Sequence, residues 1–226
     1  MFTLRKIHTS DAAYPWVEQL WLSSFPRNER RDIEAQRYNI DARANFHCLL
    51  AEDDGRAVGF ITYWHFGDFC YVEHLATDPA YRNKGYGALI LSTLNSQLST
   101  SMPFVLEVEM PTDDLSRRRI AFYERNSFTL WRDCAYQQPP YRIDDKPLPM
   151  LLMVRGSLEP KRDFARVRTT IHREVYGAYV GDQIELKKKD EEHRMKDQIV
   201  STPKLTDEGK SSFILHPLSF IFLRSR

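Results

Sequence analysis

Residues 71–88, YVEHLATDPAYRNKGYGA, combine residue types and spacings that suit an anion-binding site. A strand pattern is followed by a basic loop and then by an apolar helix. Amides in the first turn of a helix lack backbone partners, and the helix dipole adds partial positive charge there. Gly85 and Gly87 let a phosphate approach the backbone, while Arg82 and Lys84 supply formal charge. The pattern therefore predicts that this loop binds a phosphate group.

Carboxylates occur on two predicted strands near this loop. Alternation along the strand 71–77 places Glu73 on the face opposite to His74, which makes His74 the weaker candidate for chemistry. The residues predicted to share the face of Glu73 are Tyr71, Leu75 and Thr77. On the strand 104–110, Glu107 and Glu109 share one face with Val105. Carboxylates from neighbouring strands would line one cleft, where one of them takes a proton from an ammonium group, directly or through water.

Composition and motifs exclude several other classes of protein. The string GxxxxGK[ST] does not occur, and the glycine loop lacks the third glycine of a dinucleotide site. The formal net charge of +1 gives no global field for nucleic-acid or membrane binding. No apolar run reaches the ~18 residues of a membrane span, and the N-terminus has no apolar core of a secretory signal. Three cysteines without a CxxC pair predict reduced thiols in a cytoplasmic protein and no metal site.

Hydrophobic periodicity and turn signals predict the elements that position these residues. The predicted strands are 2–8, 46–52, 57–65, 71–77, 104–110, 128–131 and 150–154. The predicted helices are 16–24, 29–40, 88–98 and 115–126, and residues 136–149 are predicted as an irregular loop. This order predicts an α/β (α+β) fold, with a mixed, mostly antiparallel sheet of six to seven strands flanked by helices.

The predicted boundaries separate one domain from two C-terminal segments. Residues 1–157 form the domain, and 158–180 are predicted to add one more helix. Residues 181–226 are rich in charged residues and are predicted to be a disordered or loosely packed tail.

Two landmarks in the domain support each other. Arg82-x-x-Gly85-x-Gly87-Ala88 follows a strand that ends in LATDP, and residues 121–128 read AFYERNSF. Together with the order of elements over residues 2–155, they resemble the acetyl-coenzyme A loop and the FYEKxGF helix end of the GNAT N-acetyltransferase superfamily. Both landmarks, with a strand between them, are more specific than either alone.

The resemblance implies roles for individual residues. The pyrophosphate and the pantetheine arm of acetyl-coenzyme A would bind along the strand end and the loop. The residues implied in this contact are Leu75, Ala76, Thr77, Arg82, Asn83, Lys84, Gly85, Tyr86, Gly87, Ala88 and Ser116. Tyr123 would face the departing sulfur and protonate it. We expect Glu73 to be the base and Glu107 to bind a cationic acceptor.

Two positions depart from the family pattern. Ser116 replaces a common asparagine, and its hydroxyl is still able to donate to a phosphate or to the backbone. Ser127 replaces the glycine that ends the helix in a left-handed conformation. Because asparagine tolerates that conformation, Asn126 is expected to adopt it instead.

The acceptor is the part of the reaction that the sequence defines least. Residues 24–31, SFPRNERR, resemble a bacterial GNAT subgroup with the motif FPxxERR. Glu29 and the arginines either line the acceptor site or pair with one another on the surface. The aromatic residues Trp131, Tyr136 and Tyr141 either shape the pocket or pack a loop.

The expected function is therefore acetyl transfer from acetyl-coenzyme A, without a metal, to a primary amine. A small cationic amine or an amino-acid derivative is the first choice of acceptor. The alternatives are a protein or peptide N-acetyltransferase and a non-catalytic acyl-coenzyme A-binding module. We expect no nucleic-acid or membrane partner, and a monomer or homodimer.

Overall fold

A computed structural model describes residues 1–98, 101–142 and 144–177 of the 226-residue chain. The predicted tail, 181–226, lies outside these described residues, as does the end of the predicted segment 158–180. Among the described residues, no helix has the length and apolar character needed to cross a membrane.

An eight-stranded sheet forms the centre of the described domain. The strands are β1 (Phe2–Lys6), β2 (Phe46–Asp53), β3 (Arg56–His65), β4 (Cys70–Thr77), β5 (Phe104–Glu109), β6 (Thr129–Leu130), β7 (Tyr136–Gln138) and β8 (Leu148–Arg155). They are arranged in the order β1-β2-β3-β4-β5-β8-β6, and β7 also pairs with β8. Only β4 and β5 are parallel neighbours. The predicted mixed, mostly antiparallel sheet is confirmed, and β7 is an additional strand inside the segment predicted as an irregular loop.

Within the described residues, five α-helices flank the sheet. They are α1 (Tyr14–Ser24), α2 (Ile33–Ala42), α3 (Tyr86–Leu98), α4 (Asp114–Arg125) and α5 (Pro160–Glu174). The predicted helix 29–40 was placed too early, because Arg27–Glu29 form a 3-10 turn and Asp32 has extended backbone before α2 begins. The chain between α1 and α2 is therefore a loop, and this loop reaches the site described below.

Two apolar cores lie on opposite faces of the sheet. One contains Val17 and Trp21 of α1 together with Val167 and Ile171 of α5. The other contains residues of α3 and α4, among them Ile90, Leu94 and Ile120. Since α5 contributes to the first core, it is an integral part of the domain's packing.

A β-bulge in β4 overturns the predicted alternation. Thr62 of β3 pairs with His74, but the next residue, Tyr63, pairs with Val72, which leaves Glu73 as the extra residue. Glu73 and His74 consequently lie on the same face, toward α1, while Leu75 packs against the opposite core. The prediction that His74 faces away from Glu73 is wrong, as is the prediction that Leu75 shares the face of Glu73. A bulge adds one residue to one strand and so reverses the side-chain pattern beyond it.

The parallel strands β4 and β5 separate to form a cleft. β4 and β5 pair at three positions, Cys70 with Phe104, Tyr71 with Val105 and Val72 with Leu106. Beyond these pairs, residues of both strands line a cavity. On its other edge β4 stays paired with β3 as far as Thr77. The edge of residues 75–77 that faces β5 is therefore free to bind an extended ligand.

Candidate active site

The glycine loop between β4 and α3 borders a cavity of about 420 Å³. Gly85 has a φ of +87° and Asn83 a φ of +61°, so two left-handed residues turn the chain into the helix. Leu89 is the first residue of α3 whose amide bonds back into the loop, to the oxygen of Gly85, at 3.0 Å. The amides of the first helical turn before Leu89 are thus available to an anion.

Gly87 has a different role from the one its position in the motif suggests. A Cβ at Gly87 would lie 3.1 Å from Cζ of Phe122 on α4. The absence of a side chain there lets α3 and α4 pack closely, so Gly87 sets the shape of the cavity. Gly85, where a Cβ would meet no atom within 4 Å, is required by its backbone conformation.

A second cavity, of about 230 Å³, adjoins the first. Residues common to both linings are Leu75, Thr77, Arg82, Arg119 and Tyr123. The four carboxylate residues in the second lining are Glu29, Glu73, Glu107 and Glu109. We call the first cavity the donor pocket and the second the acceptor pocket, after the roles that we propose for them below.

Glu73 is held in a buried ion pair. Its side chain is 1% exposed and that of Arg31 is 6% exposed. Arg31 donates to both carboxylate oxygens, Trp64 Nε1 donates at 3.0 Å and the Tyr141 hydroxyl at 2.7 Å. Burial alone would raise the pKa of Glu73, but the charge and hydrogen bonds of Arg31 lower it below its usual range. Glu73 therefore stays ionised, with both oxygens engaged.

Glu107 lies in a group of tyrosines and has no cationic partner among the described residues. Tyr176, just beyond α5, donates to Oε2 at 2.7 Å, and Tyr136 of β7 donates to Oε1. Burial raises the pKa of Glu107 to about 7, although the tyrosine hydrogen bonds act to lower it. A carboxylate with this pKa exchanges its proton near neutral pH.

Tyr123 lies where the two pockets meet. Its hydroxyl makes no hydrogen bond to any described residue, although the ring is buried against Phe122 and Phe128. Burial raises the pKa of Tyr123 to about 12, so the phenol is protonated at neutral pH. An unpaired donor at this junction is placed to reach a ligand that spans both pockets.

His74 lines the acceptor pocket but is engaged on both nitrogens. Nδ1 is 3.2 Å from Oγ1 of Thr62, and Nε2 is 3.4 Å from the backbone oxygen of Glu29. Burial lowers its pKa to about 4, so the ring is neutral at pH 7. His74 therefore anchors the α1–α2 loop against β4.

The two departures from the family motif have local structural explanations. Ser116 forms a capping box with Asp113 at the start of α4, where its amide donates to Oδ1 at 2.7 Å. Its buried hydroxyl is used there and lines neither pocket. Ser127 itself has the left-handed backbone, with a φ of +68°, so the expectation that Asn126 would adopt it is wrong. The side chain of Asn126 instead donates to the oxygen of Phe122 at 2.8 Å.

Some of the other residues predicted to bind the coenzyme line the donor pocket, and others do not. Asn83, Gly85, Tyr86 and Gly87 line the donor pocket, whereas Lys84 and Ala88 do not. Ala76 lines the acceptor pocket, and its methyl group packs against the first core. Lys84 lies over the ring of Tyr81, 5.2 Å from its centroid.

Several site residues make contacts that the motifs do not indicate. Arg31, Tyr176 and Gln138 each contact or line the acceptor pocket from a different part of the chain. The run FPRNERR marked the α1–α2 loop, but no local signal shows that Arg31 reaches Glu73. Tyr176 follows an amphipathic helix with no motif of its own. Trp131, by contrast, packs against Phe164 of α5.

Comparison with known proteins gives a consistent result. The model of the acetyltransferase (GNAT) family matches residues 11–128. A solved structure described as a GNAT-family acetyltransferase from Bacteroides thetaiotaomicron is 46% identical, covers 78% of this chain and 99% of its own, and has a TM-score of 0.74. The ribosomal-protein-S18-alanine N-acetyltransferase from Escherichia coli shares the fold, with 20% identity, 70% and 97% coverage and a TM-score of 0.50. No curated protein matches the sequence significantly.

The separated parallel strands, the loop of free amides and the two adjoining pockets define a coenzyme A-dependent acyltransferase. The chain belongs to the acetyltransferase (GNAT) family, which uses acetyl-coenzyme A as the acyl donor. Acetyl-coenzyme A is therefore its co-substrate.

Proposed function

We propose that the protein transfers the acetyl group of acetyl-coenzyme A to the primary amine of a small cationic molecule, by direct attack within a ternary complex. The observation that carries this proposal is the position of Tyr123. Its unpaired hydroxyl lies at the junction of a donor pocket and an acceptor pocket. A thioester carbon at this junction would be reachable from both sides.

The donor pocket would hold the coenzyme through its backbone and its glycine loop. Amides at residues 84–88 would bind the pyrophosphate, with charge from Arg82. The free edge of residues 75–77 would pair with the pantetheine arm, and an amide there would polarise the thioester carbonyl.

Glu107 is the better candidate for the base. Glu73 is paired with the buried guanidinium of Arg31, and its lowered pKa makes it a weak proton acceptor. Glu107 has a pKa of about 7 and lines the same pocket without a cation beside it. We therefore assign proton removal from the substrate ammonium to Glu107, and an orienting role to the ion pair of Glu73.

Each proton that moves in the proposed reaction has a donor and an acceptor. Glu107 takes one proton from the ammonium group, and the neutral amine attacks the thioester carbonyl. The tetrahedral intermediate then expels the thiolate, which receives the proton of Tyr123. The phenolate is reprotonated by the proton that the new amide nitrogen releases, and Glu107 returns its proton to solvent.

The decisive experiment combines coenzyme binding with a search for acceptors. Acetyl-coenzyme A should raise the Tm of the protein, and a pool of small primary amines should cause release of free thiol. Thermal stabilisation without release from any amine would point to a binding module, and release only with peptides would point to a peptide acetyltransferase. If the coenzyme does not stabilise the protein at all, the donor assignment is wrong.

A further inference from the structure

Two of the four carboxylates that line the acceptor pocket have no ion-pair partner among the described residues. Glu73 is paired with Arg31, and Glu109 with Arg119. Glu107 is bonded only to neutral tyrosines. Glu29 has no hydrogen bond or ion pair from its side chain to any described residue. Two of the four carboxylates therefore lack a cation of their own.

Glu29 is held in place although its carboxylate is free. Its amide donates to the oxygen of Pro26 at 3.0 Å, and its own oxygen is 3.4 Å from His74 Nε2. Burial raises the pKa of Glu29 and the charge of Glu109 adds to this, while Arg119 opposes it. An arriving cation would offset both the desolvation cost and the repulsion and would favour the ionised form of Glu29.

The walls of the pocket suit a ligand with an alkyl chain and ammonium groups. Phe25, Tyr71, Tyr141 and Tyr176 all line it. Aromatic faces bury methylene groups and attract ammonium groups within about 6 Å of the ring centroid.

Arg142 limits the size of the ligand by tying two pocket-lining segments together. Its Nη1 donates to the oxygens of Arg27 at 2.9 Å and Arg30 at 3.2 Å, and its Nε donates to Asp32 at 2.8 Å. Gln138 adds a contact to the oxygen of Asn28 at 3.4 Å. The β7–β8 loop is thus fastened to the α1–α2 loop beside a pocket of about 230 Å³, which favours a compact acceptor over a polypeptide chain.

We propose that the acceptor is a short alkyl diamine, whose reacting amino group meets Glu107 while its second ammonium group binds Glu29. This inference rests on the proposed acetyltransferase function and narrows its substrate class. Amines that carry a carboxylate are disfavoured, because the unpaired carboxylate of Glu29 repels it. The second ammonium is not consumed, so its contribution is to binding and orientation.

Three acceptors of matched length test the proposal. They are 1,4-diaminobutane, 4-amino-1-butanol and 4-aminobutanoate, whose far ends are positive, neutral and negative. We expect kcat/KM for thiol release to fall in that order, with the diamine favoured over the alcohol by about tenfold or more, as for a hydrogen bond to a charged group. The series 1,3-diaminopropane to 1,5-diaminopentane then identifies the preferred spacing.

In Glu29→Gln, the ratio of kcat/KM for the diamine to kcat/KM for the amino alcohol should fall toward one. Glu34→Gln is the matched control, because Glu34 is an exposed carboxylate on α2 outside the pocket, and it should keep the ratio. Equal rates with all three amines, a preference for the anionic end, or a diamine preference that survives in Glu29→Gln would each overturn the proposal. Those outcomes leave the acetyltransferase function intact. Absence of thiol release from all three amines also overturns the diamine assignment, while the wider amine pool decides the function itself.

Discussion

The donor and acceptor halves of the site are built in opposite ways. The donor half consists of the segment 75–88 and one face of α4, where helix amides, the β5-facing edge of β4 and the Tyr123 hydroxyl are free for a ligand. The acceptor half is assembled from distant segments whose polar groups bind one another, as Arg31, Glu73 and Tyr141 do. The difference suggests that donor-half substitutions will weaken binding or chemistry, whereas acceptor-half substitutions will also destabilise the fold.

The largest expected effect is that of Arg31→Met. Removing the guanidinium leaves Glu73 charged and buried without its partner, which costs about 3–5 kcal/mol of unfolding free energy. The measurement is denaturant unfolding of the variant and the parent protein. Arg27→Met, in the same loop but exposed, should change stability by less than ~0.5 kcal/mol.

A double variant separates loss of charge pairing from loss of packing. Arg31→Met combined with Glu73→Gln removes the unpaired charge, keeps one oxygen that accepts from Trp64 and offers an amide that donates to the Tyr141 hydroxyl. It should recover a large part of the lost stability. If the double variant is as unstable as Arg31→Met, the unpaired charge of Glu73 is not the reason for the loss of stability.

Tyr123→Phe should affect chemistry without affecting the fold. The hydroxyl has no partner to lose, so the free energy of unfolding should change by less than ~0.5 kcal/mol. Loss of a general acid should lower kcat by about 10²-fold. Tyr176→Phe is the comparison, because its hydroxyl donates to Glu107 at 2.7 Å and its loss should cost stability as well. Equal kcat for Tyr123→Phe and the parent would remove Tyr123 from the mechanism.

Arg82→Ala should give the smallest of these effects. Arg82 is exposed, and its side chain makes one hydrogen bond to the described residues, from Nε to the Thr77 oxygen at 3.4 Å. Losing a charged contact to phosphate should weaken acetyl-coenzyme A binding by about tenfold. Calorimetric titration measures this change, and the Tm without ligand should stay the same. A large drop in the Tm of ligand-free Arg82→Ala would mean that polar contacts in the donor half stabilise the fold as much as those in the acceptor half.

The contrast between local patterns and contacts of distant residues explains which parts of the fold and the site could be predicted from the sequence. The glycine loop and the order of the helices and strands depend on local patterns, and apart from β7 they were predicted with small errors at the boundaries. The bulge at Glu73 was not predicted, because it depends on the pairing of β4 with β3. Without the bulge, strict alternation places His74 on the wrong face. The contacts of Arg31 and Tyr176 join residues 42 and 69 positions away in the chain, and no local pattern indicates such partners.

The pH dependence of kcat/KM in the parent protein and in Glu107→Gln tests the central claim most directly, with the most active amine of the pool as acceptor. The pKa of Glu107 is raised, so the base is protonated at low pH and kcat/KM should rise as pH increases through about 7. Glu107→Gln should lose this rise and about 10²-fold or more of the rate, while acetyl-coenzyme A still raises its Tm. A variant that keeps both the rate and the rise near pH 7 would contradict the assignment of Glu107 as the base.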